Sequence, residues 1–317
     1  MLFPIKLKPE FKEIIWGGNR LKAEYNKKSD LSNIAESWEL TVRNDGMNNI
    51  IGGEFDGLTM EEYINKMGFS VVTNKQLDRF PLLIKFIDAE DNLSVQVHPD
   101  DEYGLKNANS LGKTEMWYII DAKQGAKLVY GLKEGCTNEM FKKAIENGTV
   151  EDMLNYVPVK KGDVFFIPSG LVHAIGSGIL LAEIQQNSNI TYRVYDYNRI
   201  GKDGKPRELH VSDALNVIVN RNEEEINKIR YSNGDKSETT LASCEYFKVD
   251  KYSLSGEIEL FANEKSFNSV LCLDGDGYIE FNGVKYSLTK GDSYFIPANM
   301  GKYTVNGNAE IIVSKIN

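Results

Sequence analysis

Histidine is scarce in this chain of 317 residues, which has only His98, His173 and His210. Two of the three keep company that can hold a metal. In Ser94-Val95-Gln96-Val97-His98-Pro99-Asp100 an extended backbone puts Gln96 and His98 on one face and Val95 and Val97 on the other, because side chains two apart along a strand point the same way. In Gly112-Lys113-Thr114-Glu115-Met116 the same rule pairs Lys113 with Glu115 if the strand reaches back that far. Two neutral imidazoles, a carboxylate and a carboxamide oxygen form a donor set for one divalent ion. Zn²⁺ suits it, with a coordination position left for water or a substrate oxygen, and other divalent metals fit as well. His210 lacks such neighbours and reads as structural.

His173 ends the pattern Gly162-x5-Pro168-x-Gly170-x2-His173. A turn glycine, a strand, a Pro-x-Gly hairpin and a following histidine are similar to the second signature of the cupin superfamily. That resemblance implies a double-stranded β-helix with the metal inside its barrel, and the Gln-x-His strand upstream agrees with it.

Such a site needs a rigid β-scaffold. Residues 80–87, 93–98, 115–120, 126–130, 163–167, 179–186 and 190–197 are short runs rich in branched and aromatic side chains, mostly flanked by Gly, Asp, Asn or Pro. This is the pattern of a β-sandwich or barrel. Helices are expected at 59–67, opened by the capping box Thr59-x-x-Glu62 and stopped at Gly68, and at 137–146, with Met140, Phe141, Ala144 and Ile145 on one face. Ser212 is expected to cap a third, through Ala214, Leu215, Val217 and Ile218.

An internal repeat organises the rest. Lys161 to Pro168 (KGDVFFIP) and Lys290 to Pro297 (KGDSYFIP) agree at six of eight positions with an offset of 129, so one β-unit occurs twice. In each copy Gly-Asp makes a turn, the aromatic pair faces opposite sides of a strand and Pro ends it. The polar stretch 221–240 reads as a linker. The expected architecture is therefore all-β with a few helices, in two cupin-like β-barrel or jelly-roll domains at 1–235 and 236–317. The same offset carries His173 onto Lys302, and residues 241–317 contain no His. The second domain is expected to be metal-free.

The formal charge, 37 − 46 = −9, argues against nucleic-acid and anionic-membrane partners, which require a positive face. No run approaches the roughly 18 apolar residues of a membrane span, and the first residues interleave charge with apolar side chains instead of forming a signal sequence. Cys136, Cys244 and Cys272 are widely spaced and odd in number, which reads as reduced thiols in a cytoplasmic protein.

Taken together, the residues resemble the type I phosphomannose isomerases in their short bacterial form. The matching segments are Ile15-Trp16-Gly17-Gly18, Glu36 to Leu40, Pro81 to Lys85, Ser94 to Asp101, Gly112 to Tyr118, Pro168 to Gly176, Glu183 to Ser188 and Thr191 to Asp196. The resemblance implies one zinc per chain held by Gln96, His98, Glu115 and His173, with Arg193 as the active-site arginine. It also implies a small phosphosugar substrate, mannose 6-phosphate and fructose 6-phosphate interconverting through a cis-enediol. Arg193 can stabilise the enediolate or bind phosphate, and the first role is preferred, with Lys85 and Lys113 sharing the phosphate. The proton carrier is Glu183 or Lys113; Glu183 could equally steady a ligating histidine. Two departures from the family pattern are Thr41-Val42-Arg43-Asn44 after Trp-Glu-Leu, and Met116 where Cys is common. The competing reading is a metal-dependent cupin that binds phosphosugars without turning them over.

Overall fold

The computed structural model describes residues 1–201, 204–221, 224–225, 230–231 and 238–317. The expected domain boundary at 235/236 and much of the expected linker lie outside the described residues. Strands dominate, as the sequence predicted.

Two sheets face each other and make the scaffold of the site. The seven-stranded sheet runs in the order Arg230–Tyr231, Val164–Ile167, Glu115–Ala122, Ile179–Gln186, Leu82–Ala89, Glu36–Leu40, Glu10–Lys12. The five-stranded sheet runs Leu154–Pro158, Lys127–Leu132, His173–Ala174, Val95–Val97, Tyr192–Tyr195. Between them Trp117, Ile119, Phe165, Ile167 and Leu181 of the first pack on Leu128, Tyr130, Leu171 and Ile175 of the second or its flanks. The arrangement is a sandwich, and among the described residues no closed barrel forms.

The back of the seven-stranded sheet is covered too. Phe86, Met116, Tyr118, Ala182 and Ile184 pack against Leu271, Phe295 and Ile312 of a nine-stranded sheet and Phe247 of one of its turns. With both faces buried, every residue of Leu82–Ala89 and of Ile179–Gln186 is buried, which is why these strands read as mostly apolar without alternation and why Lys85, Asp88 and Glu183 within them are buried charges. The nine-stranded sheet is built mostly from residues after 237, but Ile5–Lys8 and Asn49–Ile51 extend it, with Ile5 opposite Phe295.

The repeat is structural. Asp163 Oδ2 accepts from the Lys160 amide at 3.0 Å, and Asp292 Oδ2 accepts from the Thr289 amide at 2.9 Å, so each aspartate closes its own turn. Phe165 and Phe166 enter different cores, as do Tyr294 and Phe295. Beyond the proline the copies fall out of step. His173 is buried, whereas Lys302 is exposed and pairs with Glu259, and Tyr303 takes the inward position.

The helices depart from expectation in detail. Met60–Met67 carries the full Thr59/Glu62 capping box and stops at Gly68. Asn138–Asn147 buries Phe141 and Ala144, but Met140 is exposed, on the face away from the core. Val211–Val217 starts before Ser212, so that serine lies inside the first turn and caps nothing. Asp101–Ala108, capped by Asp100, and the short Arg20–Glu24 were not expected. Among the described residues no helix is long and apolar enough to cross a membrane.

Candidate metal centre

The site starts from a cross-strand pair. His173 lies directly opposite Gln96 in the five-stranded sheet, and His98 follows one residue beyond the strand Val95–Val97. That overhang is pinned from outside: the Gly170 amide donates to the His98 carbonyl at 2.8 Å. Gly170 has φ +80°, and a Cβ there would meet Val219 Cγ2 at 2.6 Å and the Val217 carbonyl at 2.8 Å. Only glycine meets both demands. Glu115 enters from the facing sheet as the first residue of its strand, opposite Ile167 and Gln185.

The four side chains converge. His98 Nε2 and His173 Nε2 are 3.2 Å apart, Gln96 Nε2 is 3.3 Å from His173 Nε2, and the Glu115 oxygens lie 3.4 Å from His173 and 3.7 Å from His98. His173 Nδ1–H donates to the Leu171 carbonyl at 2.8 Å, which leaves Nε2 as a lone pair directed into the cluster. Lys113 Nζ donates to His98 Nε2 at 3.1 Å, so that nitrogen is a lone pair as well. Turning the Gln96 carboxamide over brings Oε1 to the place of its nitrogen.

These donors fit a cation. Burial drives the His98 imidazolium well below its usual range and pushes His173 down to about 4, so both rings are neutral. Burial and the nearby Glu183 raise the Glu115 carboxyl against the pull of Lys113 and Lys85, and both of its buried oxygens lack a hydrogen-bond partner. Opposed lone pairs beside an under-compensated carboxylate are costly alone and favourable around a metal. Among the described residues His98, Glu115 and His173 form the one His/Cys/Asp/Glu group with this spacing.

Beside the cluster opens a pocket of about 310 Å³ whose lining includes Lys85, Gln96, Lys113, Glu183 and Arg193. Lys113 is buried, with Nζ 3.2 Å from Glu115. Lys85, also buried, lies between Glu183 at 3.2 Å and Glu36 at 3.4 Å. Burial pulls the Lys85 ammonium down, but Glu36 and Glu183 outweigh it and hold the group charged. Glu183 also accepts from Trp117 Nε1 at 2.8 Å. Burial pushes its carboxyl up, and Lys85, Lys113 and the indole N–H more than reverse that, so Glu183 is ionised. The raised carboxyl of the centre is Glu115, and Glu183 is the lowered one.

Arg193 sits opposite Gln96. Its guanidinium donates to Ser94 Oγ at 3.2 Å and to the Glu208 carbonyl at 2.8 Å, and among the described residues it has no carboxylate partner. His210 accepts from the Arg193 amide at 3.4 Å through Nδ1, in keeping with its structural reading. The Arg43 segment forms a hairpin whose guanidinium pairs with Asp45 at 2.7 Å and reaches the Asn187 carbonyl at 3.1 Å, so it braces the chain leading to Arg193. Sequence reasoning missed Glu36, Trp117, Asp196 and Arg207 as parts of this pocket and its walls. Three of them lie inside the matched family segments, and Arg207 carried no signal.

Comparison with known proteins gives the family. Residues 4–142 match the phosphomannose isomerase type I catalytic domain and residues 237–316 the mannose-6-phosphate isomerase cupin domain. The chain is 40% identical to mannose-6-phosphate isomerase ManA of Bacillus subtilis, over 99% of both chains. This protein belongs to the type I phosphomannose isomerase family. A mannose-6-phosphate isomerase of Streptococcus mutans is 35% identical over 100% of this chain and 99% of its own. The crystal structure of the Bacillus subtilis mannose 6-phosphate isomerase superposes with a TM-score of 0.87 at 35% identity, covering 98% of this chain and 99% of that one. Type I phosphomannose isomerases depend on a metal, and the His98, Glu115, His173 cluster can hold one.

Proposed function

We propose that this protein interconverts mannose 6-phosphate and fructose 6-phosphate as an aldose–ketose isomerase with one zinc, held by Gln96, His98, Glu115 and His173. The observation that carries this reading is the meeting of those four side chains, from two facing sheets, beside a pocket that Gln96 lines together with Lys85, Lys113, Glu183 and Arg193. When bound, the metal would supply positive charge that lowers the cost of the enediolate.

The chain's own residues do the rest. Glu183, ionised and held by Trp117 and Lys85, is the carboxylate that takes the proton from carbon and returns it to the neighbouring carbon. Lys113 is the cation nearest the ligands and holds a sugar oxygen beside them. Arg193, without a carboxylate of its own among the described residues, stabilises the negative charge that develops on the enediolate. Lys85 keeps Glu183 ionised; two carboxylates already satisfy it, so its contribution to phosphate binding is small. Residues 1–235 act as the catalytic unit and 236–317 as a metal-free companion. We place the protein in the cytoplasm, where reduced thiols persist.

The test is formation of fructose 6-phosphate from mannose 6-phosphate, followed by a coupled assay with and without chelator. Turnover that the chelator abolishes and zinc restores is the expected result. Tight binding of the phosphosugar without turnover would instead make the protein a sugar-binding cupin.

A further inference from the structure

The cations of the pocket are not equivalent. Lys85 and Lys113 are buried beside the cluster, each within 3.4 Å of at least one carboxylate oxygen. Arg193 and Arg207 line the same pocket from the edge strand Tyr192–Tyr195 and the segment after it. Arg207 is the more open to water, with a quarter of its side chain exposed against 3% for Lys85.

Arg207 is held in a built arrangement. Its Nε donates to Asp196 Oδ2 at 2.7 Å and its Nη2 to Oδ1 at 2.5 Å, a two-pronged clamp. Asp196 is itself buried and also pairs with Arg199. Arg199 donates to the Asn92 carbonyl at 2.5 Å and so ties the group to the loop before the Gln96 strand. One carboxylate therefore faces two guanidiniums; Arg199 has a second carboxylate in Asp91 at 3.5 Å, so the charge left over at this end is that of Arg193, for which the described residues supply no salt bridge. Arg193 stands close enough that burial and then Arg207 lower its own affinity for a proton. This end of the pocket holds excess positive charge.

An open-chain hexose 6-phosphate carries its reacting carbons and its phosphate at opposite ends. With C1 and C2 at the cluster, the dianion must lie away from Gln96, His98, Glu115 and His173, toward the more open wall. We propose that Arg207, oriented by Asp196, binds the phosphate of the substrate. Arg207 is then a substrate-binding residue and Asp196 a positioning residue. The planar fork is fixed by one carboxylate, and its remaining N–H groups are presented to an anion. The proposal rests on the isomerase reading for the identity of the sugar, but not for the binding of phosphate itself.

The experiment compares wild type with Arg207→Ala, Arg207→Lys and Asp196→Asn as zinc-loaded full-length proteins. It measures kcat and KM for mannose 6-phosphate, inhibition by inorganic phosphate, zinc content and the thermal midpoint. For Arg207→Ala the KM and the phosphate inhibition constant should both rise by about 10- to 100-fold, the size of a lost charged hydrogen bond, while kcat and zinc content hold. Arg207→Lys keeps the charge without the fork and should fall between. Asp196→Asn should raise KM with kcat unchanged, a split that mere loosening of the fold would not give. Unchanged KM and phosphate inhibition in Arg207→Ala overturn the proposal, as does a fall confined to kcat. If Arg207→Ala fails to fold, Arg207→Lys with the wild-type KM overturns it equally. If the wild type turns over no mannose 6-phosphate, the isomerase reading fails on its own. Calorimetry with inorganic phosphate then decides on Arg207, weaker binding by the variant supporting it and equal binding overturning it.

Discussion

Nε2 of His98 and Nε2 of His173 face each other at 3.2 Å in a buried cluster, each an unprotonated lone pair: Lys113 donates to the first, and the hydrogen of the second ring sits on Nδ1. Neither can donate to the other, and burial keeps both rings neutral. A divalent ion between them turns a repulsive contact into two bonds, and it adds stability because it binds the folded chain only. Elemental analysis of purified protein should find one zinc per chain. Chelation should abolish turnover and lower the thermal midpoint, with zinc restoring both. His173→Ala should lose metal, and full metal content in that variant would mean that the cluster is not the site.

Arg193→Ala removes the pocket cation that has no carboxylate partner among the described residues. It should cut kcat by about 10²-fold, the size of a lost electrostatic stabiliser, with zinc content unchanged because the arginine touches no ligand through its side chain. A variant that turns over normally would strip Arg193 of its catalytic role.

The site was more legible in the sequence than the fold around it. Gln96, His98 and His173 could be found because strand geometry fixes which side chains share a face, and because the turn residues Pro168 and Gly170 announce the hairpin. Lys113 was reached by the same alternation, although the strand begins only at Glu115 and the lysine arrives from the preceding loop. Partnerships across the sandwich had no such rule. Nothing local tells that Trp117 will donate to Glu183, 66 positions on, or that Lys85 will be shared by Glu36 and Glu183. The part that the first residues play in the nine-stranded sheet was illegible for the same reason, since Ile5 pairs with Phe295 across nearly the whole chain. Lys302 marks where the repeat stops being a guide. It points outward to Glu259, so Lys302→Ala should leave zinc content untouched.

Gly170 couples backbone conformation to the ligand His98. An Ala there must adopt φ near +80° and push a methyl into Val219 and the Val217 carbonyl, at about 1–2 kcal/mol for the backbone alone. Gly170→Ala should therefore lower the thermal midpoint by several degrees and weaken zinc binding, because the amide that holds the His98 carbonyl moves with it. A variant with an unaltered midpoint and metal affinity would show that the loop can yield without cost.

The thiols should be quiet in the folded protein. Cys136 and Cys272 are buried and Cys244 is half-buried, and none forms a disulfide. Burial raises all three, Cys272 up to about 12 with Asp292 and Asp274 adding to it, so little thiolate exists at pH 8. A thiol-disulfide reagent at that pH should label native protein slowly, Cys244 first, and three thiols should react after denaturation. Rapid labelling of Cys272 in the native state would require the cluster it shares with Val270, Tyr294 and Ile311 to open.

Trp117 offers a test of Glu183 that leaves both the carboxylate and the ligands in place. Its indole N–H favours the ionised carboxylate, together with Lys85 and Lys113. Trp117→Phe removes that donor while keeping an aromatic ring near His173, whose centroid lies 5.4 Å from that of the indole. The Glu183 pKa should then rise. A base must be ionised to accept a proton, so the acid limb of kcat should move to higher pH, measured at saturating zinc so that metal loss does not set the limb. A limb that stays where it is, with kcat intact at neutral pH, would pass the proton to Lys113 and leave Glu183 as the partner that steadies Lys85.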